Sequence, residues 1–251
     1  MGKTAVITRA ASGIGLRAME RLLAKNWTAL DLSESALAEL RLRLGVGSRY
    51  QSQRCDVSDV AGVEAAFAAV ARATDSVDAL ICSAGVTITG WLEEMTPAEV
   101  DVMMDVNLKG PWLTARAALP LLRKNACVDD SARVVIVGSI GGLRPKVGTG
   151  FYAATKAAVH VLTGIFAVEL GPQGIRVNAV APGSSDTPMN AKVRAEARGG
   201  FKVSGVSPLG RIGTADDVAD VILFYLSDAA KYVNGTVLPV DGGTRAAFMK
   251  T

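Results

Sequence analysis

The chain has 251 residues, 49% of them hydrophobic, with 27 Lys and Arg against 24 Asp and Glu, so its net charge is only +3. That length with no linker predicts one domain over residues 1–251, and the weak charge, 5% aromatics and absence of basic runs argue against a nucleic-acid surface. One histidine, His160, and three cysteines without a C-x-x-C pair leave no metal site and predict reduced thiols in a cytoplasmic protein.

Taken in order, Thr4–Thr8 reads as a buried strand, and Ile14 to Lys25 carries apolar residues at helical spacing. With a strand that close to the first residue, no signal peptide is expected, and no apolar run reaches the ~18 residues of a membrane span. Thr28 to Leu30 reads as a short strand, Ser33 to Leu44 as a helix capped by its serine, and Gln51 to Val57 as a strand. Val60 to Ala73 is an alanine-rich helix, and Asp78 to Ser83 a strand. Thr96-Pro-Ala-Glu99 is a capping box that opens a helical region towards Asn125.

Ala132 to Ser139 is a continuous apolar strand. Tyr152 to Leu170 is a helix stopped by Gly171-Pro172, and Ile175 to Ala181 is a further strand. Thr214 to Ser227 is an amphipathic helix and Thr236 to Val240 a last strand. Strands alternating with helices predict an α/β fold: a single Rossmann-like, doubly wound domain with about seven parallel strands and helices on both faces.

Three features carry chemistry. Thr8-Arg-Ala-Ala-Ser-Gly-Ile-Gly15 joins the first strand to the first helix, where an open parallel sheet binds a dinucleotide with its diphosphate on the helix N-terminus. Asp31, 22 residues beyond Arg9, is placed to accept hydrogen bonds from adenosine ribose hydroxyls and to repel a 2'-phosphate, which points to NAD, with NADP as the alternative. Asp56 and Val57 are further candidates for the adenine edge. Finally, Tyr152 and Lys156 stand four residues apart on one helix face, where an ammonium favours the phenolate, with Ser139 thirteen positions upstream of the tyrosine. Val137-Gly-Ser-Ile-Gly141 is not a G-x-S-x-G elbow, so a serine hydrolase is a poor reading.

These features in this order resemble the short-chain dehydrogenase/reductase family over nearly the whole chain. The family turn T-G-x-x-x-G-x-G matches residues 8–15 except at Arg9, N-N-A-G matches Cys82-Ser-Ala-Gly85 in its second half, and Y-x-x-x-K matches Tyr152 and Lys156. Val106-Asn-Leu108, Arg176 to Gly183 followed by Thr187-Pro-Met189, and Val240-Asp-Gly-Gly243 are also similar to it.

The resemblance implies a NAD(P)(H)-dependent oxidoreductase interconverting a secondary alcohol and a ketone. Tyr152 would be the general acid or base, Lys156 would lower its pKa and hold the nicotinamide ribose, Ser139 would bind the substrate oxygen, and Asn107 would anchor a relay water. Cofactor contacts would come from Thr8, Arg9, Ser12, Gly13, Ile14, Gly15, Asp31, Asp56, Val57, Ser83, Ala84, Gly85, Tyr152, Lys156, Pro182, Gly183 and Thr187, the last holding the carboxamide. It also implies a homotetramer or homodimer and a substrate lid at about 184–207.

Two departures affect the cofactor turn. Arg9 stands where the family has glycine, and at positive φ a side chain costs about 1–2 kcal/mol, an expected tenfold loss in cofactor affinity. Alternatively the guanidinium attracts a 2'-phosphate. Ser83 lacks the amide that in the family braces the central strand. The substrate pocket is expected along Ile140 to Phe151, Trp91 and Met189 to Val206, lined by Leu143, Val147, Phe151, Met189 and Phe201. A small alcohol or ketone is the first expectation for the substrate and a 3-oxoacyl thioester the second. A nucleotide-binding regulator that turns over poorly is the alternative from another class.

Overall fold

A computed structural model describes residues 3–25, 27–31, 50–198, 201–202 and 205–246, with the backbone alone for 28–31. The helix expected at Ser33 to Leu44 lies outside these residues. Within them runs a seven-stranded parallel sheet: β1 Thr4–Thr8, β2 Thr28–Asp31, β3 Tyr50–Ser52, β4 Ala79–Cys82, β5 Ala132–Val137, β6 Ile175–Pro182 and a last strand Val237–Val240, in the order β3-β2-β1-β4-β5-β6 and then the last strand. This is the doubly wound fold that the alternation predicted. The order reverses at β1 and β4, and the carboxyl ends of those two strands open the crevice in which such sheets bind ligands.

Successive strand residues point to opposite faces, so each strand supplies two cores. On one face Val6, Leu80, Val134, Ile136 and Val177 pack with α2 (Val60–Ala73), α3 (Gly110–Leu122) and α4 (Tyr152–Leu170). On the other, their neighbours Ala5, Ile7, Ile81, Val135 and Val180 pack with α1 (Gly13–Ala24) and α5 (Ala215–Leu226). This is why the strands read as unbroken apolar runs.

Local signals fixed several boundaries. Thr96 and Glu99 form the reciprocal capping box with Pro97 in the first turn, and Thr214 with Asp217 forms a second. The long helical region does not run as one α-helix: Pro97–Met104 passes into a π turn at Asp105–Lys109 before α3 begins. Strand pairing at β3 stops at Ser52 and not at Val57; Tyr50 to Ser52 pair with Ala29 to Asp31 of β2. The expected lid contains a short helix, Pro188–Glu196, and Ser185–Asp186 pairs with Gly213–Thr214 in a two-stranded sheet.

Contrary to the sequence reading, Tyr152–Gln173 is by length and composition apolar enough to cross a membrane. Half of that stretch is buried inside the fold, with Val159, Phe166 and Leu170 in the core, so its apolar character is explained by packing against the sheet.

Candidate active site

The crevice at the ends of β1 and β4 is a cleft of about 810 Å³, the size of a cofactor or substrate pocket. One wall is the turn after β1. Ser12 precedes α1 in extended conformation without a side-chain cap, and Ser12, Gly13 and Ile14 line the cleft. The amides of a helix's first turn lack intrahelical partners and favour an anion. Gly15 lets the turn close: a Cβ there would lie 2.5 Å from the Arg9 carbonyl oxygen and 3.1 Å from Ser83 Oγ. The turn therefore fits a dinucleotide diphosphate.

Thr8 Oγ1 accepts hydrogen bonds from the backbone N–H groups of Ser83 (2.9 Å) and Ala84 (3.0 Å), which ties the β1 end to the β4 end. This hydroxyl braces the segment where Ser83 replaces the family's asparagine. Arg9 is, among the described residues, the one non-glycine at positive φ, +55°, so the expected backbone demand is real. Its guanidinium turns across the cleft mouth and Nη1 donates to the Gly85 carbonyl.

The catalytic end is assembled by three elements. Ser139 follows β5 as the cap of a short 3₁₀ turn, its Oγ accepting from Gly141 N–H at 3.1 Å. Tyr152 and Lys156 rise from the first turns of α4, with Lys156 Nζ 5.9 Å from the centre of the tyrosine ring. Lys156 Nζ donates to the Val137 carbonyl at 2.9 Å. Asn107 sits in the π turn, fully buried. Its carboxamide pairs with the Val86 backbone in both directions, Val86 N–H to Oδ1 and Nδ2 to Val86 O, each 2.9 Å, and Nδ2 also reaches Thr155 Oγ1 at 3.2 Å. A single π turn inserted in a helix shifts the facing of its residues, and here it carries the buried carboxamide.

Electrostatics corrects one expectation. The phenol was expected to be tuned down by Lys156. Instead burial raises the Tyr152 pKa, and hydrogen bonds with Ser139 and Thr87 pull it back. Lys156 is the group that moves most visibly: burial, then the Arg9 charge, push its ammonium down to about 8, with Cys82 opposing.

Of the other predicted residues, Ser83, Ala84, Gly85, Pro182, Gly183 and Thr187 line the cleft. Thr187 caps the Pro188–Glu196 helix, accepting from Asn190 N–H at 3.4 Å. Asp31 ends β2 in register with Ile7, beside the turn. Asp56 and Val57 do not join the lining. Asp56 accepts from Ser58 N–H (2.9 Å) and Ser58 Oγ (2.6 Å), while Val57 packs under Gly110, both consequences of β3 ending early. On the substrate side Val147, Met189 and Phe201 line the cleft, but Leu143, Phe151 and Trp91 do not.

Two participants were not read from the sequence. Thr87, two residues past Gly85, reaches the phenol. His160, the sole histidine, accepts the Ser139 backbone N–H at Nε2 (3.4 Å) under the glycine-rich loop, where a Cβ on Gly138 would meet Nε2 at 2.4 Å. Burial and then Lys156 push its pKa down to about 4, so the imidazole is a neutral acceptor. No spacing motif marks either residue, because each contact depends on how α4 docks on the sheet.

Residues 10–245 match the family model described as enoyl-(acyl carrier protein) reductase. A 3-oxoacyl-(acyl-carrier-protein) reductase of Thermotoga maritima is 35% identical over 96% of this chain and 97% of its own. The chain belongs to the short-chain dehydrogenase/reductase family. Its class is that of NAD(P)-dependent oxidoreductases acting on CH–OH groups. A cis-4-hydroxycyclohexanecarboxylate dehydrogenase of Sinomonas cyclohexanicum is 37% identical over 97% of both chains. The crystal structure of a Brucella melitensis 3-ketoacyl-(acyl-carrier-protein) reductase complexed with NADH superposes with TM-score 0.86 at 30% identity, covering 97% of this chain and 98% of that one.

Proposed function

We propose that this chain interconverts an apolar secondary alcohol and its ketone with NAD as the preferred cofactor. The observation that carries the reading is the meeting of Ser139, Tyr152 and Lys156 at one end of a cleft whose other end is an uncapped helix N-terminus. A nicotinamide dinucleotide supplies or accepts the hydride when bound. Tyr152 gives its phenolic proton to the carbonyl oxygen in reduction and takes the hydroxyl proton in oxidation. Ser139 hydrogen-bonds that oxygen. Lys156 holds the nicotinamide ribose. Asn107 fixes the Val86 backbone beside the cleft and anchors the relay water.

Ile140, Val147, Met189, Val193 and Phe201 give the substrate end an apolar lining, which supports an apolar ketone with residues 184–207 as the lid. The likeness to the Thermotoga maritima enzyme supports a second reading, reduction of a 3-oxoacyl thioester. Titration with NADH and NADPH followed by turnover of a panel of cyclic and linear ketones and 3-oxoacyl thioesters separates the two. Binding of neither nucleotide would overturn both.

Asp31 at the β2 end supports NAD. Replacing Asp31 with Ala is expected to narrow the gap between the NADH and NADPH dissociation constants about tenfold, on the order of one charge-assisted hydrogen bond. An unchanged ratio would remove Asp31 from the ribose.

We further propose a cytoplasmic homotetramer or homodimer. Val161, Ile165 and Val168 are 66, 48 and 78% exposed along α4, and Trp112 on the neighbouring α3 is 40% exposed. A contiguous apolar face of this kind suits a second copy. Light scattering is expected to give a dimer or larger; a monomer at micromolar concentration would overturn the assembly.

A further inference from the structure

We propose that Arg9 is a positioning residue for the proton chemistry: its charge, held across the crevice by the Gly85 carbonyl, sets the pH range over which the Tyr152–Lys156 pair works. The inference rests on the catalytic reading above and deepens it.

The geometry places the two cations on either side of one residue. Arg9 Nη1 is bonded to the Gly85 carbonyl. On the other side, a Cβ on Gly85 would sit 3.6 Å from Lys156 Nζ and 3.3 Å from Asn107 Oδ1. Arg9 leaves the β1 turn at φ of +55° and lines the cleft. Arg9 and Lys156 line that cleft together with Arg144, Lys146 and Lys202, and no carboxylate lines it among the described residues.

Arg144, Lys146 and Lys202 also line the cleft, while the groups packed directly on the pair are neutral. Cys82 from β4 is held protonated by burial, its pKa pushed up to about 12. His160, one turn along α4, is neutral because its pKa lies near 4. Ser139, Thr87 and Asn107, from the β5 end, the segment after β4 and the π turn, carry no charge. Lys156 Nζ itself donates to the Val137 carbonyl. Of the cations that line the cleft, Arg9 is the one whose charge lowers Lys156.

The sign is unambiguous. A fixed positive charge lowers the pKa of any neighbouring acid, ammonium or phenol alike. Removing it moves both titrations upward, so the whole pH–rate profile for alcohol oxidation, which needs phenolate and ammonium together, moves to higher pH. A neighbouring charge acting across a partly buried site gives a shift on the order of one pH unit.

The test compares wild type with Arg9→Met, Arg9→Gly and Arg9→Lys. Arg9→Gly removes the charge and the positive-φ strain together, so it is the variant that keeps the fold intact. Two readouts are used: the pH profile of alcohol oxidation at saturating cofactor, and titration of the Lys156 ammonium by NMR of methylated lysines without added cofactor, assigned by difference from Lys156→Met.

Met and Gly are expected to raise the Lys156 pKa by about half to one unit, with Lys restoring most of the wild-type value. Arg9 merely propping the turn would change affinity and leave both titrations in place. Identical titrations in wild type, Met and Gly would overturn the proposal. Failure of the catalytic reading is distinguishable: turnover would then be absent for every substrate, while the lysine titration still reports on Arg9.

Discussion

Tyr152→Phe lowers kcat for ketone reduction by about 10²–10⁴, the usual contribution of a positioned general acid, while the NADH dissociation constant changes by less than about threefold. The substitution removes one oxygen and keeps the ring, so α4 packs as before, with Val159, Phe166 and Leu170 still buried in the core. What disappears is the phenol shared between Ser139 and Thr87. Ser139 keeps its anchor, because its Oγ is bonded to Gly141 N–H and its backbone N–H to His160. The substrate oxygen is then still held, but no proton is delivered to it. The residual rate should lose the pH dependence that Tyr152 imposes on the wild type. Steady-state kinetics with a fluorescence titration of NADH separates these effects. A loss below tenfold, or a loss carried by nucleotide binding, would take the phenol out of the proton transfer.

The fold was legible because its signals are periodic and local. Continuous apolar runs in β1, β5 and β6 announced strands covered on both faces, and the structure delivers alternate residues of each to two separate cores. Boundaries written in side-chain chemistry, such as Thr96 with Glu99 or Gly171-Pro172 after Leu170, held to the residue. Boundaries that depend on long-range pairing did not: β3 ends at Ser52, and the pairing of Ser185–Asp186 with Gly213–Thr214 joins segments with no common signal. The π turn at Asn107 escaped for a similar reason. An i→i+5 pattern has no sequence period of its own, and what holds Asn107 there is its pairing with Val86.

The site shows the same division. Spacing identified Ser139, Tyr152 and Lys156, since strand end and helix turn fix where those side chains go. The backbone conformation of Arg9 was also foreseeable, because a glycine position was being filled by a side chain. The direction of its guanidinium was not, nor was the balance of pKa shifts, because desolvation depends on how deeply α4 and β5 bury the pair. The sequence suggested a lysine acting on a tyrosine; the structure adds an arginine acting on the lysine.

The second large effect concerns the turn that faces this pair. Gly15→Ala is expected to weaken NADH binding at least tenfold, about 1.4 kcal/mol or more, and to lower the melting temperature by several degrees. The added Cβ would stand 2.5 Å from the Arg9 carbonyl oxygen, a distance that only a backbone shift relieves. The side chain costs little helix propensity, for alanine is the better helix former. Any loss therefore measures close approach and not helix strength.

The shift has two available directions, and both are costly. Moving α1 outward displaces the first-turn amides of Gly13 and Ile14 from the diphosphate position and separates α1 from α5, where Arg17 and Arg21 both bind Asp216. Moving the Arg9 peptide instead swings Arg9 off the Gly85 carbonyl and should carry the Lys156 titration with it. Calorimetric melting, NADH titration and the lysine titration on Gly15→Ala distinguish the two. A variant that binds NADH as wild type does and melts at the same temperature would show that the turn does not need this glycine, and with it the diphosphate site would lose its geometric basis.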